Sequence, residues 1–181
     1  EVATTLSKSG IKARAISARE LPTVIAKHRT TLIDGTPADL GFVGEVQSVN
    51  PAQLLELIDD GFVPVVAPVS SDVDLVTGLN VNADFAAASI AAALGASQLI
   101  VMTDVPGIYR NWPDKASLIE SITAHDLEAI KSTFAEGMAP KVKACLDAID
   151  GGASAVRIID GTDPSAFAAA LGNSGGTLVT K

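Results

Sequence analysis

The chain has 181 residues, 48% of them hydrophobic, and a formal net charge of -8, which is enough apolar material for one compact domain and too much for a disordered chain. No run of Lys or Arg offers a surface to nucleic acid or to an anionic membrane, so neither is expected as a partner. No segment approaches the ~20 uninterrupted apolar residues of a membrane helix, no signal-peptide pattern opens the sequence, and the single cysteine cannot form an internal disulfide, so a soluble, cytoplasmic protein is expected.

A helix ending near Gly10 leads into a short strand over 13–17, and 29–40 reads as a hairpin turning at Asp34-Gly35. Residues 41–49 alternate as a strand. A helix follows from Asn50 as N-cap, with Pro51 at its first position, to Asp60-Gly61, and the apolar run 63–69 is the next strand. A minor hairpin over 75–81 turns at Thr77-Gly78, and an alanine-rich helix spans 83–94 and is closed by Gly95. The apolar run 99–102 is of strand type. Beyond the Trp112-Pro113-Asp114 loop come helices over 124–134, capped by Thr123, and over 137–149. A strand at 156–159, a helix at 164–171 and a strand at 177–180 complete the chain. Helices alternating with buried strands predict the α/β class: a three-layer αβα sandwich on a mainly parallel open sheet, as a single domain over 1–181. In such a sheet ligands bind beyond the carboxyl ends of the strands.

Three stretches carry candidate chemistry. In Gly137-Met138-Ala139-Pro140-Lys141, a helix start brings first-turn amides and a lysine together, an arrangement that suits a phosphate whose charge builds up during transfer; the alternative is a solvated lysine at a helix start. In 100–109, a buried strand runs into a polar turn. There Asp104 can accept from a ribose or adenine and Tyr109 can offer a face to a base, or the two can be an ordinary turn carboxylate and a core cover. In Asn80-Val81-Asn82-Ala83-Asp84, the two asparagines can share a face suited to an amino-acid substrate. Asp84 is either a helix-start carboxylate or the group that holds phosphate-binding lysines in place. Cys145 reads as core packing rather than a reactive thiol, and Cys and His show no metal-ligand spacing. The Gly-x-x-x-x-Gly-Lys-Ser/Thr loop, the Gly-x-Gly-x-x-Gly turn and the Gly-x-Ser-x-Gly elbow are all missing, which leaves P-loop enzymes, dinucleotide dehydrogenases and serine hydrolases without support.

Together, in this order and spacing, Asn80-Val81-Asn82-Ala83-Asp84, Thr103-Asp104-Val105-Pro106-Gly107-Ile108-Tyr109 and Gly137-Met138-Ala139-Pro140-Lys141 resemble the acetylglutamate kinases of the amino acid kinase family. Leu40-Gly41-Phe42-Val43-Gly44-Glu45-Val46, the Trp112-Pro113-Asp114 loop, Asp150-Gly151-Gly152, Ile159-Asp160-Gly161 and Gly176-Thr177 extend the resemblance from about Gly10 to the end. It implies transfer of the ATP γ-phosphoryl group to the side-chain carboxylate of N-acetyl-L-glutamate in arginine biosynthesis. It further implies Lys141 as the cation on the transferring group, Asp84 as the orienter of catalytic lysines and Asn80 as a substrate contact. By the same implication Thr103, Asp104, Val105, Gly107, Ile108 and Tyr109 line the nucleotide site with Thr133, Phe134 and Ala135, and Mg2+ comes with ATP, bridging its phosphates. The family's opening Lys-x-Gly-Gly loop, its glycine-rich substrate loop and its substrate arginine have no counterpart in this chain. The expectation is therefore a nucleotide-binding part with negligible turnover by itself; the alternatives are a non-catalytic nucleotide- or partner-binding remnant of the family, or another amino acid kinase acting on an aminoadipate derivative or aspartate. That family often pairs through its N-terminal half, which has no counterpart here, so a homo-oligomer is in view only as a non-native association through exposed apolar surface.

Overall fold

A computed structural model describes residues 1–17, 22–32, 35–134 and 137–181. The chain falls into two compact units, Glu1–Leu94 and Gly95–Lys181.

The N-terminal unit contains α1 (Val2–Lys8), β1 (Ala13–Ser17), β2 (Val24–His28), β3 (Val43–Val49), α2 (Ala52–Asp59), β4 (Val63–Ala67), β5 (Val69–Asp72), β6 (Gly78–Val81) and α3 (Ala83–Leu94). β1 and β4 pair in parallel from Ala13↔Val63 to Ser17↔Ala67, the geometry that a helical crossover between two strands produces. Ile16 of β1 is buried with Leu54 and Leu57 of α2, and Phe62, Val66, Ile90 and Leu94 pack against them. Each large side chain fully buried in this way contributes about 1.5–3 kcal/mol.

The remaining four strands close into a small barrel, β2-β3-β6-β5. Its interior is filled by Ala26, Leu79 and Val81, with Ala86 of α3 against them. Four strands leave room for little more: a Cβ added at Gly44 would lie 2.8 Å from Leu79 Cβ and 3.1 Å from Ala26 Cβ.

The sequence reading did not contain this barrel, and the reasons are local. The strand read over 63–69 is two strands, because Pro68 has no N–H to continue the ladder; its carbonyl instead accepts from Val81 N at 3.0 Å. The hairpin read around Thr77-Gly78 turns earlier. Asp74 accepts from the amides of Val76 and Thr77 at 2.8 and 2.9 Å, and β5 and β6 pair antiparallel on either side. Of the hairpin over 29–40, a Thr31↔Pro37 bridge is present; Asp34 lies outside the described residues. Asn50 accepts from Ala52 N at 3.1 Å, and α2 starts one residue after Pro51.

The C-terminal unit contains β7 (Leu99–Thr103), β8 (Ser121–Thr123), α4 (Ala124–Ile130), α5 (Ala139–Asp150), β9 (Ala155–Asp160), α6 (Pro164–Leu171) and β10 (Thr177–Thr180). Its sheet has the order β7-β9-β10-β8, with β7/β9 and β10/β8 parallel and only β9/β10 antiparallel. Helices α5 and α6 pack on β9. The buried face of α5 is Val142, Ala144, Cys145, Leu146, Ala148 and Ile149, so Cys145 is core material. Thr123 caps α4 as expected, its hydroxyl accepting from Asp126 N at 3.1 Å. The helix read over 124–134 stops at Ile130 and tightens into a 3-10 turn over Lys131–Thr133, where the Thr133 hydroxyl takes the Ile130 carbonyl at 2.7 Å. Parallel pairing with interspersed helices in both units gives the α/β class.

Candidate active site

In the C-terminal unit, β7 delivers its carboxyl end to a cavity of about 470 Å3. Thr103, Asp104, Val105, Tyr109, Thr133, Phe134 and Lys141 line it, and so do Arg110, Asn111, Trp112, Gly137 and Met138. Two features of the sequence thus meet in one space: the polar turn after the apolar strand, and the lysine in the first turn of α5.

The turn is fixed from several sides. Gly161 N donates to Thr103 O at 2.7 Å, joining the ends of β7 and β9, and the Thr103 hydroxyl donates to Asp104 Oδ1 at 3.1 Å. Asp104 itself is exposed and Thr103 half-buried. Gly107 and Ile108 do not line the cavity. Ile108 is fully buried, and a Cβ on Gly107 would come within 2.5 Å of Thr177 Oγ1, so the two residues form the floor on which the turn rests. The buried Thr177 hydroxyl accepts from Ile108 N at 2.8 Å and donates to Ile119 O at 2.5 Å, while Ile119 N donates to Ile108 O at 2.8 Å. One side chain from β10 therefore satisfies the start and the end of the excursion over residues 109–118.

Within that excursion Arg110 N donates to Ser117 O at 2.9 Å and Asn111 N to Ser117 Oγ at 3.0 Å. Asp114 accepts from Ala116 N at 2.9 Å and starts a short 3-10 turn. Tyr109 is bridged to Leu118, and its ring meets that of Trp112 edge to face, with centroids 5.2 Å apart.

Lys141 is half-buried in the first turn of α5, with Pro140 one position before it as expected. The helix begins at Ala139 rather than Gly137, and Met138, its N-cap, supplies no side-chain bond. First-turn amides have no intrahelical carbonyl, so this end of α5 presents donors and the positive end of its dipole. An ammonium, helix-start amides, a carboxylate and three aromatic rings, those of Tyr109, Trp112 and Phe134, around one cavity suit a phosphorylated nucleoside. Ala135, expected beside Phe134, lies outside the described residues.

Asn80 and Asp84 belong to the N-terminal unit. Asn80 sits in β6 between Val43 of β3 and Val69 of β5, with its backbone N–H on Phe42 O at 2.7 Å and its side chain exposed. Asp84 is half-buried in the first turn of α3. Asn82, exposed like Asn80, caps α3: its Oδ1 accepts from Asp84 N at 2.9 Å and Phe85 N at 3.3 Å.

This unit also has a shallow depression of about 450 Å3 around His28, Arg29, Thr30 and Asp39. Its arginine already donates to Thr31 O at 2.8 Å and faces Glu45 at 3.5 Å. Among the described residues no group of three His, Cys, Asp or Glu could hold a metal ion, and no helix is long and apolar enough to cross a membrane.

The cavity residues that sequence reasoning missed are Arg110, Asn111 and Trp112. They directly follow Tyr109, but nothing local says that the chain doubles back there; the ties to Ser117 and Thr177 decide it.

The model of the amino acid kinase family matches residues 2–160. The chain is 43% identical over 177 residues to an acetylglutamate kinase of Nocardia farcinica, covering 97% of this chain and 58% of the relative. It is 50% identical over 139 residues to an acetylglutamate kinase of an Arthrobacter species, covering 74% and 45%. The chain thus spans about half the length of the curated relatives it matches. A solved N-acetylglutamate synthase from Neisseria gonorrhoeae, complexed with coenzyme A and N-acetyl-glutamate, superposes with a TM-score of 0.83 at 24% identity. That superposition covers 98% of this chain and 40% of the synthase, and at that identity it speaks for the fold alone. By the extent of the family match and the identity to these relatives, the chain belongs to the amino acid kinase family.

Proposed function

We propose that this chain is the nucleotide-binding part of an enzyme that transfers the γ-phosphoryl group of ATP to the side-chain carboxylate of N-acetyl-L-glutamate, an acetylglutamate kinase of arginine biosynthesis. The observation that carries the reading is the single cavity shared by Asp104 and Lys141, with Thr103, Val105, Tyr109, Thr133 and Phe134 around it. The names of its relatives point to the same reaction.

In this reading Lys141 and the first-turn amides of α5 bind the phosphates, and their attraction strengthens as charge moves onto the bridging oxygen of the leaving ADP. Asp104 accepts from ribose or adenine. Asp84 orients the lysines, and Asn80 binds the amino-acid substrate. Their support is position only: Asp84 half-buried at a helix start, Asn80 exposed on a strand pinned from both sides. A magnesium ion would come with the phosphates, in keeping with a cavity lining that has one carboxylate, Asp104. That the two units act as one nucleotide-binding domain is part of the same proposal.

The test uses the chain joined to the remaining length of the Nocardia relative. ATP-dependent phosphorylation of N-acetyl-L-glutamate is expected from the joined protein and negligible turnover from the 181-residue chain alone. Lys141→Ala should then lower kcat about 100- to 1000-fold, the usual loss when one pre-organised donor to a developing charge is removed. An unchanged kcat would take Lys141 out of the mechanism. Phosphoryl transfer to another acceptor, with none to acetylglutamate, would replace the substrate.

A further inference from the structure

We infer that Trp112 is the face on which the nucleobase stacks, and that it makes binding in the C-terminal cavity depend on the base. This rests on the nucleotide reading above and adds to it a specificity-determining residue.

Three observations lead there. Trp112 lines the same cavity as Lys141, yet 60% of its surface is exposed. A large apolar ring left in water at a cavity wall is stabilised by whatever covers it, and a base is flat, polarisable and matched to it in size. The ring is also pre-placed. Its loop is tied by Ser117, Asp114 and Thr177, so little further ordering is needed when a ligand arrives. Finally, the planes of Tyr109 and Trp112 are inclined at 65°, which makes a corner rather than a stack. In such a pair one ring gives its edge and the other a face, so a wide face of Trp112 is left for a third ring. Tyr109, half-buried and bridged to Leu118, has less to offer. Asn111, with both donor and acceptor atoms on the same cavity, can read the edge of a base held there.

Trp112 is the only tryptophan of the chain, so its emission reports this site alone. The 181-residue chain is titrated with Mg-ATP and, separately, with Mg-tripolyphosphate. Binding is followed by the phosphorus NMR signals of the ligand and base contact by Trp112 emission. ATP should quench and shift the emission and tripolyphosphate should not. Trp112→Ala should weaken ATP about ten- to a hundredfold while leaving tripolyphosphate affinity within twofold, which also shows that the variant is folded. Trp112→Phe should recover most of the loss. If ATP binds but emission does not move, or Trp112→Ala binds ATP as tightly as the parent, the stacking role is overturned and the nucleotide site stands. If the phosphorus signals show no ATP binding to the parent chain, both fall.

Discussion

Among the described residues the two units differ in where the chain goes at the ends of their strands, and the C-terminal unit makes a cavity on which a cation, a carboxylate and aromatic rings converge. In the C-terminal unit β7 runs parallel to β9, and the connection leaving its carboxyl end is long enough to fold back and wall off a space. In the N-terminal barrel β5 reaches β6 through a turn, β3 and β6 lead into helices α2 and α3, the interior is closed by Ala26, Leu79 and Val81, and some polar side chains serve the fold itself. Asn82 caps a helix, and Asp74 holds a loop. A binding site needs polar groups gathered on one space, and the C-terminal unit gathers Asp104, Arg110, Asn111 and Lys141 around one cavity.

The comparison breaks most sharply at two glycines. A Cβ at Gly176 would sit 2.2 Å from the carbonyl oxygen of Ile158, and the residue has φ +65°, so both sterics and backbone conformation oppose any side chain. Gly176→Ala should cost more than about 4 kcal/mol, because the obstacle is the backbone of the central strand β9, and the C-terminal unit should fail to fold. In the barrel, Gly44→Ala meets Leu79 Cβ at 2.8 Å and Ala26 Cβ at 3.1 Å, atoms fixed to their backbones, so the paired strands must part by a few tenths of an ångström, and overpacking of that kind costs about 1–3 kcal/mol. Thermal unfolding of the two variants orders them. Equal losses would mean that the barrel is as unyielding as the sheet.

Next in size is Thr177→Val, which keeps the shape and removes the hydroxyl that Ile108 N and Ile119 O share. Each buried backbone group left without a partner costs about 1–3 kcal/mol, so a loss of about 2–4 kcal/mol is expected in urea unfolding. The residues over 109–118 should also lose amide protection, and ATP affinity should fall with it. No change in protection there would show that the excursion is held by other contacts.

These ties explain what was legible beforehand. The polar turn at Thr103 to Tyr109 and the helix start at Lys141 could be read because their signals are local: an apolar run ending in Asp and Gly, and a proline just before a helical repeat. Helix α3 ends where Gly95, at φ +59°, says it should. The barrel was not legible. It depends on pairings such as Ala26↔Asp72 and Gly44↔Val81, distant in sequence and therefore not encoded in the period of either strand. Trp112 was legible as part of a loop and not as a cavity wall, because its place depends on a hydroxyl in β10.

The smallest expected effect is also the one that asks whether the units respond separately. Asp74 in the first unit accepts from Thr77 N, from Val76 N and from the Thr77 hydroxyl; these bonds, with a minor contribution from the charge of His28, hold its carboxyl below its ordinary value of 3.8. In the second unit the hydroxyl and then the amide of Ser165 do the same for Asp163, the N-cap of α6. A carboxylate depressed by folding adds stability that is complete above its unfolded pKa and fades as pH falls through the lower, folded value. Both units should therefore lose stability below about pH 4, and modestly, since both carboxylates are fully exposed and water competes for the same bonds. Asp74→Asn should flatten that acid loss only in the first unit and Asp163→Asn only in the second. Urea unfolding at a series of acid pH values checks this, with the methyl signals of Ile16 and Leu79 reporting one unit and the emission of Trp112 the other. If either substitution flattens both curves alike, the two units unfold as one, and the contrast between them is one of architecture and not of energetics.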